Sequence, residues 1–498
     1  MHLGAIEKRS GLAKFGDQAS ANAVMYIATA RYASGQDLFR FEKSAIYRYN
    51  SGVWTDVTPA GETINAVAWT SANLYELFYC SPGNVFNTST ASGILKQSTL
   101  AGGFTAVNDS PGCKVLIGYA GRLFAMNTTD SAATNTPYRV KWTGVGVFDN
   151  WTDAALGAGE VDLSTSGYPI QAAVVTAGRL VILKGDATGG SIVMCSSTYD
   201  AAIPLVFEPM YGIGIVGRGS LVTAGADLHL FLGHDHFYAI SSARVTPLEH
   251  PVAAEAVSRV NPDRYTESFS YYNPYSGDVR FVIPVGTSDM ECYTFNVRTK
   301  TWAGPEKSTP TLVAATSYIV TDVSTWSTIT GTWESHTGKS WASLSPSGGP
   351  ARLVLGSSDS WVYEEDPGYY SDAGASIEVK IETGDYDFAG VDIVQYGSRY
   401  PSRIEAGDEL AINGLYVEYV NAWTPVIEIS ADGGKSWTQV FSGTLSGSVD
   451  EHTTKLITFP EIVGTKFRVR ITHTSATETF KLIGLYAQVD WRRRAFAD

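Results

Sequence analysis

The chain has 498 residues and a formal net charge of −14 at pH 7, an acidic balance that repels phosphate and argues against a sequence-specific DNA-binding protein. Its 44% hydrophobic and 12% aromatic residues can build large cores, which excludes a largely disordered chain. The cysteines form no CxxC pair, so neither a zinc ribbon nor a dense disulfide framework is supported. We interpret all four as buried small apolar residues: Cys80, Cys113, Cys195 and Cys292.

The N-terminal segment is polar. It carries Glu7, Lys8 and Arg9 where a signal peptide needs an unbroken apolar core. The sequence contains no run of about 18 apolar residues, the length that a membrane-spanning helix requires. We therefore expect a protein without a membrane span that is synthesised in a cytoplasm and is soluble there, with residues 1–24 as an N-terminal arm.

A turn sequence recurs along the hairpins that follow residue 25. Ala120-Gly121 returns as Ala177-Gly178, and looser versions contain Gly225 and Gly277. These four glycines are spaced by 57, 47 and 52 residues, and Pro82-Gly83 lies 38 residues before the first of them. A repeat of about 40 to 57 residues that contains hairpins is typical of a β-propeller blade, although a long series of unrelated hairpins gives a similar pattern.

The predicted fold class is all-β, with a β-propeller of irregular hairpin blades over residues 25–370. Trp54 and Trp302 each follow an alternating aromatic strand and a turn, so both are expected to pack between adjacent sheets. The Ser/Thr/Trp-rich stretch at about 305–350 is interpreted as an elaborated insertion or an irregular blade.

Two further elements are predicted. A short helix near 251–260 would place Ala254, Val257 and Val260 on one face. Longer alternating strands resume at about residue 371 and predict a C-terminal antiparallel β-sandwich, or platform domain, over residues 371–498.

One sequence in the tail domain matches the Asp-box pattern S-x-D-x-G-x-S-W of sialidase propellers. Its members are Ser430, Asp432, Gly434 and Trp437. The pattern predicts a structural hairpin turn in which the Asp carboxylate caps backbone N–H groups and the Trp packs beneath. A sialidase would carry several copies and an arginine triad, whereas this sequence has one box.

Two other motifs are weak as chemical sites. Residues 212–217 satisfy GxGxxG, but an apolar strand follows them where a dinucleotide site needs a helix. His234 and His236 sit in a polar hairpin turn, and His229 alternates on a strand without a neighbouring acid. We therefore predict no catalytic residue, no metal site and no cofactor.

Three groups of segments together resemble one protein family. They are Glu7–Leu12, with an Arg-x-Gly motif; 139–142, 148–151 and 167–170; and 355–363, 371–377 and 385–388. In this order the chain resembles the tail nozzle of short-tailed bacteriophages, also called tail tubular protein B or the packaged-DNA stabilisation hub. The Gly-His-Asp-His turn at 233–236 and the stretch at 305–350 depart from the family pattern.

The resemblance implies a structural virion protein of the viral tail. Such proteins form a homohexameric tube below the portal-adaptor ring, carry a fibre, tailspike or needle, and let genomic DNA pass through the channel without binding it specifically. An acidic tube would repel the DNA and assist its release. Two alternatives stay open, namely a glycan-binding or sialidase-like propeller enzyme and a propeller scaffold protein.

The C-terminal tip is basic. Arg492, Arg493 and Arg494 lie between Trp491 and Phe496, at the end of an otherwise acidic chain. Arginine pairs with carboxylates and stacks on aromatic rings, so these residues are predicted to be assembly contacts with a neighbouring subunit or the ring above it. The alternative is an ordinary frayed terminus.

Overall fold

The computed structural model describes residues 6–60, 64–83, 85–87, 92–132, 134–186, 188–198, 203–307, 310–319, 351–366, 371–386, 409–448 and 451–491. The chain divides into two compact units. One unit is Lys14–Glu364, and the other joins Met1–Ala13 to Glu365–Asp498. The N-terminal segment is therefore divided between the two units, whereas the sequence analysis treats residues 1–24 as a separate arm.

The protein is all-β, as predicted, with 59% strand and 6% helix. Two short strands open the chain, β1 (Ile6–Glu7) and β2 (Gly11–Lys14). Four-stranded antiparallel sheets then follow in chain order, and each of them is built from four consecutive strands.

The strands of blades 1 to 3 are β3 (Tyr26–Tyr32), β4 (Gly35–Phe41), β5 (Ile46–Asn50), β6 (Val53–Asp56), β7 (Thr70–Leu74), β8 (Leu77–Ser81), β9 (Leu95–Gln97), β10 (Thr105–Ala106), β11 (Gly112–Tyr119), β12 (Arg122–Thr129), β13 (Asn135–Trp142) and β14 (Gly159–Asp162). Those of blades 4 to 6 are β15 (Ile170–Thr176), β16 (Arg179–Asp186), β17 (Gly189–Ser197), β18 (Leu205–Tyr211), β19 (Val222–Thr223), β20 (Leu228–Leu232), β21 (Phe237–Ser241), β22 (Arg244–Pro247), β23 (Phe269–Asn273), β24 (Asp278–Val285), β25 (Asp289–Asn296) and β26 (Trp302–Lys307).

Blade 7 contains β27 (Leu312–Ile319), β28 (Ala351–Ser357) and β29 (Val362–Asp366). The N-terminal part of the propeller unit runs beside it, where the Phe15 N–H donates to the Val362 carbonyl at 2.8 Å. Strand β27 lies in the stretch 305–350 that the sequence analysis interprets as an insertion or irregular blade, and residues 320–350 of that stretch lie outside the described residues.

Apolar clusters join neighbouring blades and close the ring. One cluster packs Phe39 of blade 1 with Phe78 of blade 2, and similar clusters join blades 2 and 3, 3 and 4, 4 and 5, and 5 and 6. Inner strands β23 and β27 contact each other, and Val354 of blade 7 packs with Ile27 of blade 1. In the described part of the chain the first unit is therefore a propeller of seven blades.

The recurring glycines lie at equivalent places in consecutive blades. Ala120-Gly121 and Ala177-Gly178 form two-residue turns with positive φ at both residues, the geometry that suits a tight hairpin. Gly225 and Gly277 occupy the same hairpin, between the first and second strands, in blades 5 and 6. The propeller period is confirmed. Pro82-Gly83 was grouped with these turns wrongly, because it follows the second strand of blade 2.

Both predicted tryptophans pack between blades. Trp54 is 4% exposed and belongs to the cluster between blades 7 and 1, whereas Trp302 packs against the cluster between blades 5 and 6. Helix α1 (Pro251–Arg259) forms where a helix was predicted. The prediction is partly right, since Val257 is half-buried and Val260, just after the helix, is buried. Ala254 is exposed instead, and Ala253 and Ala256 are the buried residues within the helix.

The second unit contains β30 (Ser371–Asp372), β31 (Ala375–Glu382), β32 (Leu410–Val420), β33 (Val426–Ser430), β34 (Thr438–Ser442), β35 (His452–Gly464), β36 (Arg468–Ser475) and β37 (Lys481–Trp491). One sheet has the order β1-β37-β32-β35, and the other contains β30-β31-β36-β33-β34. Leu415, Ile427 and Ile471 belong to one core that receives side chains from both sheets, so this unit is the predicted β-sandwich. In the described residues, no helix is long and apolar enough to cross a membrane.

Candidate functional site

The Asp-box sequence forms a tight turn between β33 and β34. Asp432 Oδ1 accepts the backbone N–H groups of Lys435 at 2.9 Å and Ser436 at 3.0 Å. Ser430 Oγ accepts the Gly434 N–H at 2.8 Å and donates to Asp432 Oδ1 at 2.7 Å. The Ser436 hydroxyl donates to Asp432 Oδ2, and these hydrogen bonds hold the pKa of the Asp432 carboxyl well below its usual range. The carboxylate is thus engaged by the turn itself.

The indole of Trp437 is also engaged within the turn. Its Nε1–H donates to the Gly434 carbonyl at 3.2 Å, and the Arg470 guanidinium lies 3.6 Å from its ring centre. Arg470 is held in turn by Glu382, whose carboxylate accepts at 3.2 Å. Because a guanidinium covers the ring face, Trp437 does not offer that face for stacking on a sugar.

The histidine-rich turn lies between β20 and β21. Asp235 accepts the Tyr238 hydroxyl at 2.8 Å, and His236 is half exposed beside it. Asp235 and His236 line a groove of about 440 Å³ together with Glu249 and His250. His229 lies apart from this turn, buried on β20 with its Nδ1 3.0 Å from Thr223 Oγ1. In the described part of the chain, no three or more His, Cys, Asp or Glu residues form a group that could hold a metal ion.

The GxGxxG sequence at 212–217 serves close backbone packing. A Cβ on Gly214 would lie 2.2 Å from Gly190 Cα, and one on Gly217 would lie 2.9 Å from the Tyr265 carbonyl oxygen. A single 3-10 turn, Arg218–Ser220, follows, and β19 begins at Val222. The other 3-10 turns are Ala154–Leu156, Ser164–Ser166 and Pro262–Glu267. Residues 212–217 therefore lack the following helix that a dinucleotide site requires.

The four cysteines are free thiols and are all buried, as predicted. Burial raises the pKa of Cys113 and of Cys195 to about 12. Both thiols are therefore protonated at neutral pH and serve as small apolar groups.

A partly buried ion pair connects two of the segments that carry the family resemblance. Arg9 Nη1 donates to Asp372 Oδ1 at 2.9 Å, and a second bond joins Arg9 Nη2 to Asp372 Oδ2. The Arg9 side chain is 17% exposed and the Asp372 side chain 9% exposed. The two residues are 363 positions apart in the sequence, so no local sequence pattern predicts the pair.

The neighbours of Arg9 fix the same strand in place. A Cβ on Gly11 would lie 2.3 Å from the Ser371 carbonyl oxygen, so only glycine allows this approach of the two backbones. Lys8 is buried, and its ammonium donates to the Glu478 carbonyl at 2.9 Å. We call Lys8, Arg9, Gly11, Ser371 and Asp372 the N-terminal clamp.

The middle segments of the resemblance have structural roles in blades 2 and 3. Arg139 forms a two-bond pair with Asp162 across β13 and β14, at 2.8 and 3.0 Å. Trp142 and Trp151 are buried in the clusters on either side of blade 3. Asp149 accepts the Tyr79 hydroxyl at 3.2 Å. These segments hold the blades together and bring no reactive groups into one place.

The predicted assembly residues Arg492, Arg493 and Arg494 lie outside the described residues, which end at Trp491. The last described strand is β37, at Lys481–Trp491. Residues 387–388 of the resemblance also lie outside the described part.

No protein-family model matches this chain, and no curated protein matches it. Among solved structures, it is similar to the extracellular domain of the hybrid two-component system BT3049 from B. thetaiotaomicron, with 9% identity and a TM-score of 0.41, over 92% of this chain and 57% of that one. The corresponding domain of BT4673 from the same organism gives 9% identity and a TM-score of 0.39, over 72% of this chain and 39% of that one. YCF48 bound to D1 peptide gives 8% identity and a TM-score of 0.37, over 72% of this chain and 95% of that one. Because each TM-score is below 0.5, the propeller assignment rests on the sheet order and on the packing between blades.

Proposed function

We propose that this chain is the subunit of a tail nozzle of short-tailed bacteriophages, a structural protein of the virion tail. The N-terminal clamp carries the proposal. Two segments that resemble the family, one around Arg9 and one around Asp372, contact each other although 363 residues separate them. Segments that resembled the family only by chance would not be expected to contact each other, so this contact supports the family resemblance.

In this proposal the C-terminal sandwich is the platform domain of a homohexameric tube below the portal-adaptor ring. The clamp gives that domain its N-terminal strand, because Leu12 pairs with Asp372 in the sheet that contains β31 and β36. The platform then contains residues from both ends of the chain. A structural role of this kind requires no catalytic residue and no cofactor.

The charge of the chain suits a conduit for DNA. Each subunit carries an excess of 14 negative charges, and six subunits around a channel would repel the phosphates of a passing genome. Genomic DNA would contact the tube without specific binding. A fibre, tailspike or needle is the expected partner at the distal end.

The enzymatic alternative has less support from the site geometry. In a sialidase-like enzyme or glycan-binding propeller, we would expect carboxylates and aromatic faces that are open to a sugar. Here Asp432 is occupied by the N–H groups of its own turn, and the Trp437 face lies under Arg470. We therefore place the function in assembly.

Assembly of the purified chain tests the proposal. Light scattering and negative-stain microscopy should show a ring or short tube with six times the mass of one subunit. The variant with Arg492, Arg493 and Arg494 all replaced by Ser should stay folded but assemble less, with the largest deficit at low salt, because charged contacts are screened as salt rises.

A matched control keeps the test specific. Replacing Lys307, Lys435 and Lys455 with Ser removes the same number of charges from other positions and should leave assembly intact. A chain that stays monomeric at all salt and protein concentrations, and that hydrolyses a sialoside, would overturn the proposal in favour of the enzyme. Equal assembly of the triple-arginine variant would remove the role given to the basic tip.

A further inference from the structure

The first strands of the blades surround the axis of the propeller. Neighbouring first strands contact one another, as β3 does with β7, β7 with β11, β19 with β23, and β27 with β3. Blades 1 to 6 each have four antiparallel strands in chain order, so the chain returns after each of them to the end at which that blade began. All first strands therefore run in the same direction, and their starting residues meet at one end of the axis.

Arg218 reaches this end of the axis from the turn before blade 5. Its guanidinium carbon lies 5.7 Å from the ring centre of Tyr26, which opens the first strand of blade 1. Blades 1 and 5 lie well apart in a ring of seven, so the side chain extends inward to make this contact. Arg218 Nη1 is fully buried and has no hydrogen-bond partner among the described residues. An unpaired buried donor of this kind carries a substantial cost in stability.

Lys114 brings a second cation to the same place. It is the third residue of β11, the first strand of blade 3, and it is half-buried. Burial lowers the pKa of the Lys114 ammonium, and the charge of Arg218 lowers it further. In the described part of the chain, neither cation forms an ion pair with a carboxylate, although acidic residues outnumber basic ones by 50 to 36 over the whole chain.

We propose that this end of the propeller axis binds a small dianionic oxyanion of the phosphate class between Arg218 and Lys114. The charge of such an ion matches the two cations. Its oxygens accept the forked N–H donors of a guanidinium, and the ammonium adds a point charge. The bound ion would give Nη1 of Arg218 the acceptor that the described protein atoms do not supply.

Tyr26 forms part of the wall of this site. Its hydroxyl is already bonded to Ser71 Oγ at 3.1 Å, so its ring is held in place below the guanidinium. A ring face covered by a cation is not available for stacking on a base, which favours a small anion over a nucleic-acid strand. The site is independent of the proposed tail function, because it lies within one propeller.

Titration of the full chain with inorganic phosphate tests the site. Ionic strength is held constant with sodium chloride, and binding is followed by calorimetry and by the thermal midpoint. We expect one phosphate per chain. R218Q and K114M should each weaken binding by about tenfold or more, the loss expected for one charge-assisted contact. K307Q, which removes an exposed cation from blade 6, should bind phosphate like the unaltered chain.

A second readout separates binding from a simple folding defect. In phosphate-free buffer, K114M should melt at a higher temperature than the unaltered chain, because it removes the repulsion between the two cations while keeping a side chain of similar length. Phosphate should then raise the midpoint of the unaltered chain but not that of K114M. K114M therefore keeps the test valid even where R218Q fails to fold.

Three outcomes would overturn the proposal. The first is no heat of binding and no midpoint shift beyond that of equal chloride. The second is equal phosphate affinity in K114M and the unaltered chain. The third is tight binding of a short DNA duplex that is lost in both variants, since it would assign these cations to nucleic acid.

Discussion

The N-terminal clamp and the propeller axis both contain cations that are at least partly buried, but the two regions differ in the partners that these cations have. In the clamp, Arg9 forms an ion pair with the Asp372 carboxylate, and the Lys8 ammonium donates a hydrogen bond to the Glu478 carbonyl. At the axis, Arg218 is close enough to Lys114 to lower the pKa of its ammonium, and neither cation has a carboxylate partner among the described residues. The cations of the clamp therefore have their partners within the described residues, whereas the cations at the axis lack a counterion there.

This difference sets opposite expectations for substitutions. Removing a cation from a completed pair leaves its partner unpaired and destabilises the fold. Where two neighbouring cations have no carboxylate partner, removing one of them relieves the repulsion between like charges. Experiments on the clamp can thus be compared directly with the Lys114 and Arg218 variants.

The largest effect is expected from Arg9→Met. The substitution leaves the carboxylate of Asp372 buried without its cation, which should lower the free energy of unfolding by about 3 kcal/mol. Chemical denaturation followed by circular dichroism would measure the loss. Arg139→Met is the matched control, because its partner Asp162 is 45% exposed and the pair should contribute about 0.5 kcal/mol.

A double variant identifies the origin of this loss. In R9M/D372N the unpaired charge is gone, so much of the stability should return. If R9M is no less stable than R139M, or if the double variant is as unstable as R9M alone, the pair does not act as a clamp.

A smaller effect is expected from Gly11→Ala. The new Cβ would lie 2.3 Å from the Ser371 carbonyl oxygen, so the two backbones would have to separate, at a cost of about 2 kcal/mol. Gly384→Ala is the control in the same unit, because nothing lies within 4 Å of its Cβ position. Its free energy of unfolding should change by less than about 0.5 kcal/mol. Thermal unfolding of both variants would give the comparison, and equal midpoints would contradict the close approach of the two strands.

The sequence predicted the propeller well because its signals are local. The turns at Gly121 and Gly178 need positive φ in a tight hairpin, and the same need recurs in each blade. Trp54 and Trp302 were placed correctly between blades for a similar reason, since the strand and turn before each of them are contiguous in the sequence. On α1 only Ala254 was placed wrongly, because a nine-residue helix between two blades is oriented by its neighbours as well as by its own pattern.

The clamp and the axis could not be found in this way. Arg9 and Asp372 are joined only when the sandwich forms, and Arg218 meets Tyr26 only when the propeller ring is closed. Single-sequence patterns carry no information on such distant pairs. The family resemblance includes the segments around Arg9 and Asp372, but a resemblance does not show that two segments are in contact.

The smallest effect is expected from a change at His229, a buried residue of the propeller. Its hydrogen-bond partner, the Thr223 hydroxyl, is neutral, so His229 provides a reference for the axis. Burial lowers the pKa of the His229 imidazole below its ordinary value near 6.5, and the charge of Asp227 opposes this shift. The unfolded chain therefore binds a proton at a higher pH than the folded chain does. Stability should fall as the pH drops below about 6.5 and should level off once the folded imidazole is also protonated.

Replacing His229 with Gln tests this sign, because Gln keeps a polar group near Thr223 Oγ1 but does not titrate. The thermal midpoint of the propeller should lose part of its pH dependence between pH 7 and pH 5, as measured by calorimetry in phosphate-free buffer. His473, buried in the sandwich, has a pKa that is lowered in the same direction, so H473Q shows whether a change belongs to the other unit. If H229Q keeps the full pH dependence, or if its stability rises on acidification, burial does not control this imidazole. The axis differs in kind, because Arg218 and Lys114 have no carboxylate partner among the described residues.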